Sequence, residues 1–201
     1  VYGDYYVKSV PVYAAIKLRA DSIVRAPLVV YQKDAEDNKE QVPATHPLQQ
    51  LLDRCNPWWT KGDMLRATST YLDIWGSAFW VLSKTSDSSP PTEIWPVRPD
   101  KMFIIPGPNY IEGFRWDRGG KSTRLRVDVV IWFRHFNPVD ELAGLSPVGV
   151  GRLSVDMGIE ALNYNRNRFK NELPVSQLAF TSSDIVTDIQ AEEFITRMKA
   201  K

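Results

Sequence analysis

The apolar positions follow a helical period in the first third of the chain. Helices are predicted over residues 9–25, from Pro47 with Leu48, Leu51 and Leu52 inward, and from Thr60 to about residue 75. Thr60 and Asp63 have the spacing of a capping box, and Gly76 is the expected left-handed stop. The apolar, aromatic residues 1–7 indicate a strand or an ordered lead-in, and residues 28–31 a short strand before a charged hairpin tip.

From residue 77 the pattern changes to that of strands. Strands are predicted over residues 77–84, 93–97, 102–105, 110–116, 123–127 and 129–133. Proline, glycine, asparagine and aspartate separate them, as is typical of turns. Residues 137–145 are predicted to form a loop.

One long helix is predicted over residues 146–171, with Ser146 as N-cap and Pro147 in the first helical position. Its apolar residues form two rows, which implies contact on more than one face. The rows are Val150, Leu153, Met157 and Ala161, and Val148, Val155, Ile159, Leu162 and Phe169. Its last turns carry Arg166, Arg168 and Lys170, cations that suit the negative end of the helix dipole.

After the long helix the sequence predicts a strand over residues 175–181 and a helix that Thr187 and Gln190 begin. The order of the elements is helices, then strands, then a long helix, then a strand–helix pair. This order predicts an α+β fold, with mixed or antiparallel strands and a small C-terminal lobe. Because the chain starts without Met and ends inside a predicted helix, we expect it to be a piece of a longer protein.

Composition narrows the function classes. A hydrophobic content of 43% and a charged content of 24% are ordinary globular values. The net charge of +1 gives no strong field for binding polyanions. The single cysteine, Cys55, excludes an intrachain disulfide, and no cluster has zinc-ligand spacing. No apolar run is long enough to span a bilayer, so no membrane partner is expected.

The sequence offers no convergent acid, base and nucleophile. His46 precedes a proline at a helix start, where a structural role is favoured, and His135 alternates with strand residues. Cys55 has no cationic neighbour in sequence, which favours a buried, inert thiol. We therefore expect no enzymatic activity, no metal and no cofactor.

The seven tryptophans leave a second hypothesis open. Trp58 and Trp59 could stack a sugar or a base, but beside Asn56-Pro57 a core anchor is favoured. The alternative to a structural assembly protein is a Trp-rich module that binds carbohydrate or nucleic acid. Tryptophans exposed together on one sheet face would favour that module, and buried tryptophans would favour the assembly protein.

Five short motifs occur in a fixed order. They are Thr45-His46-Pro47-Leu48-x-x-Leu51-Leu52, Asn56-Pro57-x-x-Thr60, Gly76-Ser77-Ala78-Phe79, Gly144-Leu145-Ser146-Pro147 and Phe169-Lys170-Asn171-x-x-Pro174. As an ordered set covering most of residues 20–178, they resemble the portal proteins of tailed bacteriophages and prophages.

The resemblance implies a non-enzymatic subunit of a ring of about twelve copies at one capsid vertex. Double-stranded DNA would pass through its channel, and the terminase large subunit, capsid and head-completion proteins would contact it. It would act in the virion, and in the host cytoplasm during assembly. Residues 1–145 would form the wing, 146–170 the stem helix and 171–201 part of the clip.

The resemblance also gives the long helix two expected roles. The candidate subunit-interface residues are Val148, Val155, Ile159 and Leu162. Because the helix has apolar positions on more than one side, some of them should be covered only by a neighbour, so Val148, Val155, Ile159 or Leu162 is expected to be partly exposed in an isolated subunit. Arg166, Arg168 and Lys170 are expected to contact DNA in the channel without reading its sequence.

Overall fold

The computed structural model describes residues 2–34, 37–108, 110–170 and 187–199. It divides into two compact units, one up to Glu160 and one from Ala161 onward. The helices are α1 (Tyr2–Lys8), α2 (Val10–Arg25), α3 (Pro47–Asp53), α4 (Lys61–Trp75), α5 (Pro147–Val150), α6 (Arg152–Lys170) and α7 (Asp188–Lys199). The strands are β1 (Tyr31–Lys33), β2 (Lys39–Gln41), β3 (Ser77–Lys84), β4 (Pro91–Val97), β5 (Met102–Gly107), β6 (Tyr110–Arg118), β7 (Lys121–Leu125) and β8 (Val130–Arg134).

The strands form three antiparallel groups. β1 and β2 make a hairpin, β3 lies between β4 and β8, and β6 lies between β5 and β7. Apolar side chains from the two three-stranded sheets share one core, in which the rings of Phe79 and Phe114 lie 5.9 Å apart. The predicted α+β fold and the six strands from residue 77 to 134 are confirmed. The strand predicted over residues 28–31 is displaced, since β1 begins at Tyr31.

The helices of the first unit surround a second core. Ile16, Ile74 and Val148 form its centre, and Tyr2 and Tyr5 pack against it from α1. Of the two alternatives for residues 1–7, the strand was wrong, and the ordered lead-in is a helix. Tyrosines three and four residues apart fall on one helical face, and packing of that face outweighs their preference for strands.

Local signals place α4 as expected. The Thr60 hydroxyl accepts from the Asp63 N–H, and the Asp63 carboxylate accepts from the Thr60 N–H at 3.1 Å.

In α3 the expected orientation of Leu48 was wrong: its side chain is 45% exposed, and Gln49 is buried instead. The amide of Gln49 accepts from the Val30 N–H at 3.0 Å, which satisfies its buried oxygen.

The predicted long helix is interrupted at Gly151. α5 ends at Val150 and α6 begins at Arg152, although Gly151 still donates to the Pro147 carbonyl at 3.1 Å. Gly149 and Gly151 are weak helix formers, which explains a break at this place.

α7 confirms the helix predicted near Thr187, whereas the strand predicted over residues 175–181 lies outside the described residues. No helix in the described part of the chain has the length and apolarity to cross a bilayer.

Candidate functional site

The end of α4 and the start of α5 meet in a joint made mostly of backbone. Gly76 ends α4 with φ at 75°, and a Cβ on Gly76 or on Gly144 would overlap the carbonyl group of the other. The Ser146 hydroxyl donates to the Ile74 carbonyl at 2.6 Å and accepts from the Gly149 N–H at 2.8 Å. The sequence prediction of Ser146 as N-cap is confirmed, and the cap also ties α5 to α4.

A groove of about 270 Å³ lies beside this joint, and we call it the α2 groove. Its lining includes Val12, Ala15, Ile16, Asp73, Gly151 and Val155. The Asp73 carboxylate accepts from the Arg19 guanidinium at 2.8 Å, and its side chain is 5% exposed against 54% for Arg19. Burial raises the pKa of Asp73, and the charges of Arg19 and His135 oppose that rise. The groove is therefore apolar along its walls and carries one ion pair.

The residues expected at a subunit interface lie in different environments. Val148 is 8% exposed and packs in the core of its own chain with Ile16 and Ile74, so the expected exposure of this residue is corrected. Val155 and Ile159 are half-buried, and Leu162 is 67% exposed. Val148 is covered because it follows Pro147 directly at the joint, where α5 packs against α4.

The other apolar row of the helix is open to solvent. Val150, Leu153 and Met157 are 69%, 70% and 67% exposed, and we call them the apolar ridge. Each ridge residue lies two positions after a residue that lines the α2 groove. Those lining residues are Val148, Gly151 and Val155. Hydrogen bonds from Gly151 to Pro147 and from Val155 to Gly151 keep the helical rotation across the break at Gly151. Two residues along this segment turn by about 200°, so the groove and the ridge lie on its opposite sides.

The three cations expected to contact DNA lie exposed in the last turns of α6. Arg166 and Lys170 are four residues apart and share a face, whereas Arg168 lies about 200° from Arg166 around the axis. The structure therefore brings Arg166 and Lys170 to one side of the helix and leaves Arg168 on the other.

The groups with chemical potential are dispersed and occupy structural positions. His46 caps α3, with its Nδ1 accepting from the Leu48 N–H at 3.2 Å. Burial raises the pKa of the Cys55 thiol, as expected for an inert side chain. The Nε2 atom of the half-buried His135 has no hydrogen-bond partner among the described residues. In the same part of the chain no group of histidine, cysteine and carboxylate side chains could hold a metal ion.

Trp58 departs from the predicted core position. Its side chain is 80% exposed, whereas Trp59 packs against the cluster of Cys55, Met64 and Trp80. Both tryptophans line a groove of about 400 Å³ along α4, which we call the tryptophan groove. The Asn56 side chain turns the backbone here by accepting from the Trp58 and Trp59 N–H groups, both at 2.9 Å.

The other tryptophans pack within the chain. Trp80 is buried and donates its indole N–H to Thr68 at 2.8 Å. Trp75, Trp95, Trp116 and Trp132 are half-buried, and three of them pack against the core between the sheets. No sheet face in the described residues presents a cluster of exposed tryptophans, which favours the assembly protein over the binding module.

A family model described as phage portal protein matches residues 11–201 of the chain. The chain belongs to the phage portal protein family. The ordered motifs that resembled this family lie within the matched residues, so the sequence prediction of the family is confirmed.

Individual portal proteins resemble this chain at low sequence identity. The portal protein of Enterobacteria phage HK97 is 22% identical over 169 residues, covering 83% of this chain and 39% of that protein. An HK97-family phage portal protein from Corynebacterium diphtheriae has a TM-score of 0.65 at 16% identity, covering 96% of this chain and 58% of that one.

A chain in the neck of a native gene transfer agent particle, computed with C12 symmetry, has a TM-score of 0.69 at 21% identity. That match covers 94% of the present portal chain and 51% of the neck chain. The chain thus spans less than two thirds of the length of each of these three proteins, and at these identities the solved structures establish a shared fold.

Proposed function

We propose that this chain is a structural part of a portal subunit, and that about twelve copies of the subunit form a closed ring. The observation that carries the proposal is the family match over residues 11–201. The C12 symmetry of the gene transfer agent neck, whose chain shares this fold, supports the copy number. In this proposal residues 1–145 form the wing, 146–170 the stem helix and 171–201 part of the clip.

The ring would stand at the capsid vertex and form the channel through which double-stranded DNA is packaged and ejected. The terminase large subunit, capsid and head-completion proteins are the proposed partners. The protein would be found in the virion, and in the bacterial host cytoplasm during assembly.

The long helix supplies the proposed contacts between subunits. Val155 and Ile159 are half-buried, and Leu162 is exposed, so each has apolar surface that a neighbouring copy can cover. Val148 is left out of this contact because its own chain already buries it.

Arg166, Arg168 and Lys170 are the proposed DNA contacts. A channel that must pass every sequence can use only backbone phosphates, and exposed cations at a helix end suit that role. Since Arg166 and Lys170 share a face, we expect these two to contribute more than Arg168 if one face of α6 lines the channel.

Negative-stain microscopy of the full-length protein tests the ring. The expected result is a particle with a central hole and a rotational symmetry near twelve. A monodisperse monomer at every concentration, in a protein that circular dichroism shows to be folded, would contradict the ring.

The DNA contacts are tested by replacing Arg166, Arg168 and Lys170 with Gln in the full-length ring. Binding should weaken for every sequence alike, and the slope of log affinity against log salt should fall by about 0.9 for each phosphate that is no longer neutralised. The matched control replaces Lys8, Lys101 and Lys121, three exposed lysines of the first unit, with Gln. Equal effects in both variants, or an unchanged slope, would remove the three α6 cations from the channel.

One observation favours a second function, the binding of a carbohydrate or nucleobase. Trp58 is 80% exposed at the rim of the tryptophan groove, with Asp63 and Arg66 among its lining residues. An exposed indole face is a stacking platform for a sugar or a base. Quenching of tryptophan fluorescence by an oligosaccharide or oligonucleotide, abolished by Trp58→Ala and retained by Trp116→Phe, would support it.

A further inference from the structure

We propose that the α2 groove of one copy receives the apolar ridge of the next copy. The proposal rests on the proposed ring and names the surfaces that would join neighbouring subunits. The groove includes Val12, Ala15 and Val155, and the ridge is Val150, Leu153 and Met157.

The ridge is costly to leave in water. Its three large apolar side chains are each about two thirds or more exposed and are three to seven residues apart on one helical side. A helix stripe of this kind is stabilised by burial against another element. The described part of the same chain does not cover it.

The groove has room for side chains of the ridge. Its volume of about 270 Å³ exceeds that of a leucine or methionine side chain, and its walls are apolar. It lies between α2 and the joint where α5 begins, both in the first unit. The opening is thus framed by packed helices, a setting that suits insertion of a rigid helical ridge.

The positions of the two surfaces exclude insertion within one subunit, which leaves a second copy as the proposed occupant. Groove and ridge lie about 200° apart around one helical segment, so a subunit cannot fill its own groove with its own ridge. Two different surfaces on one subunit make a head-to-tail contact, which closes into a ring when the rotation between copies allows it.

The charges at the two surfaces agree with this pairing. Arg19 lines the groove with a guanidinium that is 54% exposed, and it donates to Asp73 through one nitrogen. Glu160 is exposed three residues after Met157, on the flank of the ridge. A carboxylate that arrives with the ridge would meet the remaining N–H donors of Arg19, which fixes the register of the contact.

The test is cysteine cross-linking in the assembled full-length protein. Ala15→Cys and Met157→Cys are combined in one chain; both native side chains are exposed, and Cys55 is buried and stays unreactive. Oxidation, or a short bis-maleimide where the Cα atoms are too far apart for a disulfide, should give a covalent ladder that extends beyond the dimer. Either single variant should stay monomeric on the same gel.

The outcomes separate this inference from the ring itself. Rings seen by microscopy without a ladder would overturn the ridge-in-groove contact and leave the ring standing. Dimers from Met157→Cys alone would show ridge against ridge and would also overturn it. Absence of rings in the wild-type protein would overturn the ring, and the contact with it. Ala15→Cys combined with Lys121→Cys is the control that should give no ladder.

A second variant tests the energetics without cross-linking. Leu153→Glu with Met157→Glu should weaken association by about a hundredfold, since each buried large apolar side chain is worth roughly tenfold or more in affinity. Lys121→Glu, which changes the charge at an exposed position of β7 away from the ridge and the groove, should change association much less. Both variants should keep the helix content of the wild type, and equal association of the two would contradict the proposal.

Discussion

At the scale of single residues, Gly76 and Gly144 decide how closely two backbone segments approach. Gly76 takes the left-handed conformation that ends α4, and neither glycine has room for a Cβ. The left-handed turn was predictable from Gly76 at the end of an apolar stripe. The close approach was not, because it depends on Gly144, which lies 68 positions further along the chain.

We expect Gly76→Ala to lower the free energy of unfolding by about 2 kcal/mol or more. The alanine would have to keep the left-handed backbone conformation, and its Cβ would overlap the backbone of Gly144. Gly158→Ala is the matched control. A Cβ there meets no atom within 4 Å inside α6, so this variant should gain about 0.5–1 kcal/mol. Urea denaturation measures both, and a neutral Gly76→Ala would mean that the joint relaxes freely.

Other single residues show where local sequence signals end. The capping box of Thr60 and Asp63 and the cap at Ser146 are local, and both were predicted. Asp73 and Arg19 were missed, because an ion pair that joins residues 54 positions apart leaves no mark in a single sequence. Trp58 was expected in the core because it lies beside the turn at Asn56-Pro57. The turn forms, but only Trp59 packs in the core, and Trp58 is left 80% exposed.

At the scale of elements, periodicity predicted the strands from residue 77 to 134 and the helices α2, α3, α4 and α7, with ends that moved by a few residues. The strand alternative was wrong for α1, because its tyrosines, which are strand formers, pack on one helical side. Periodicity also joined α5 and α6 into one helix. The weak helix propensity of Gly149 and Gly151 is visible in the sequence, but the exact place of the break also depends on the packing of α5 against α4, which is a tertiary contact.

The helices α2, α3 and α4 are linked by ionised carboxylates. Hydrogen bonds from Lys17 and Arg66 lower the pKa of Asp21, and bonds from Lys61 and then Gln49 lower the pKa of Asp53. The Thr60 hydroxyl and N–H lower the pKa of Asp63. Each of these carboxylates increases the free energy of unfolding. The increase is fully present above the pKa of an aspartate in the unfolded chain, about 3.9, and it is lost as the pH falls through the lower pKa of the folded protein.

The free energy of unfolding should therefore fall as pH decreases from about 5 to about 2, measured by urea titration at each pH. Asp21→Asn should make this fall shallower. Asp73 has the opposite sign: burial raises its pKa, so its contribution is present below the unfolded pKa and is lost as pH rises. Asp73→Asn should make the fall steeper, and a flat profile in the wild type would contradict the linkage.

At the scale of the whole molecule, the family was predicted from an ordered set of motifs and confirmed by the match over residues 11–201. The placement of the site residues was less predictable. Two apolar rows on one helix indicated two contact faces, but the sequence could not tell which row its own chain covers. Coverage of Val148 depends on Ile16 and Ile74, which lie far from it in sequence.

We expect no ATPase, nuclease or glycosidase activity from this chain. His46, Cys55 and His135 are dispersed and occupy capping, core and half-buried positions. Turnover assays at the same protein concentration on the wild type and on His135→Ala measure this. Activity that is present in the first and absent in the second would contradict the prediction.

The joint between α4 and α5 also sets a mechanical property of the subunit. Where two segments contact each other through side chains, a force between them can be relieved because exposed side chains change rotamer within nanoseconds. Gly76 and Gly144 place main chain against main chain, and the Ser146 hydroxyl ties α5 to the Ile74 carbonyl. We expect such a joint to have little elastic compliance, so that tension along α5 would reach the backbone of α4 directly and the joint would yield only when hydrogen bonds break.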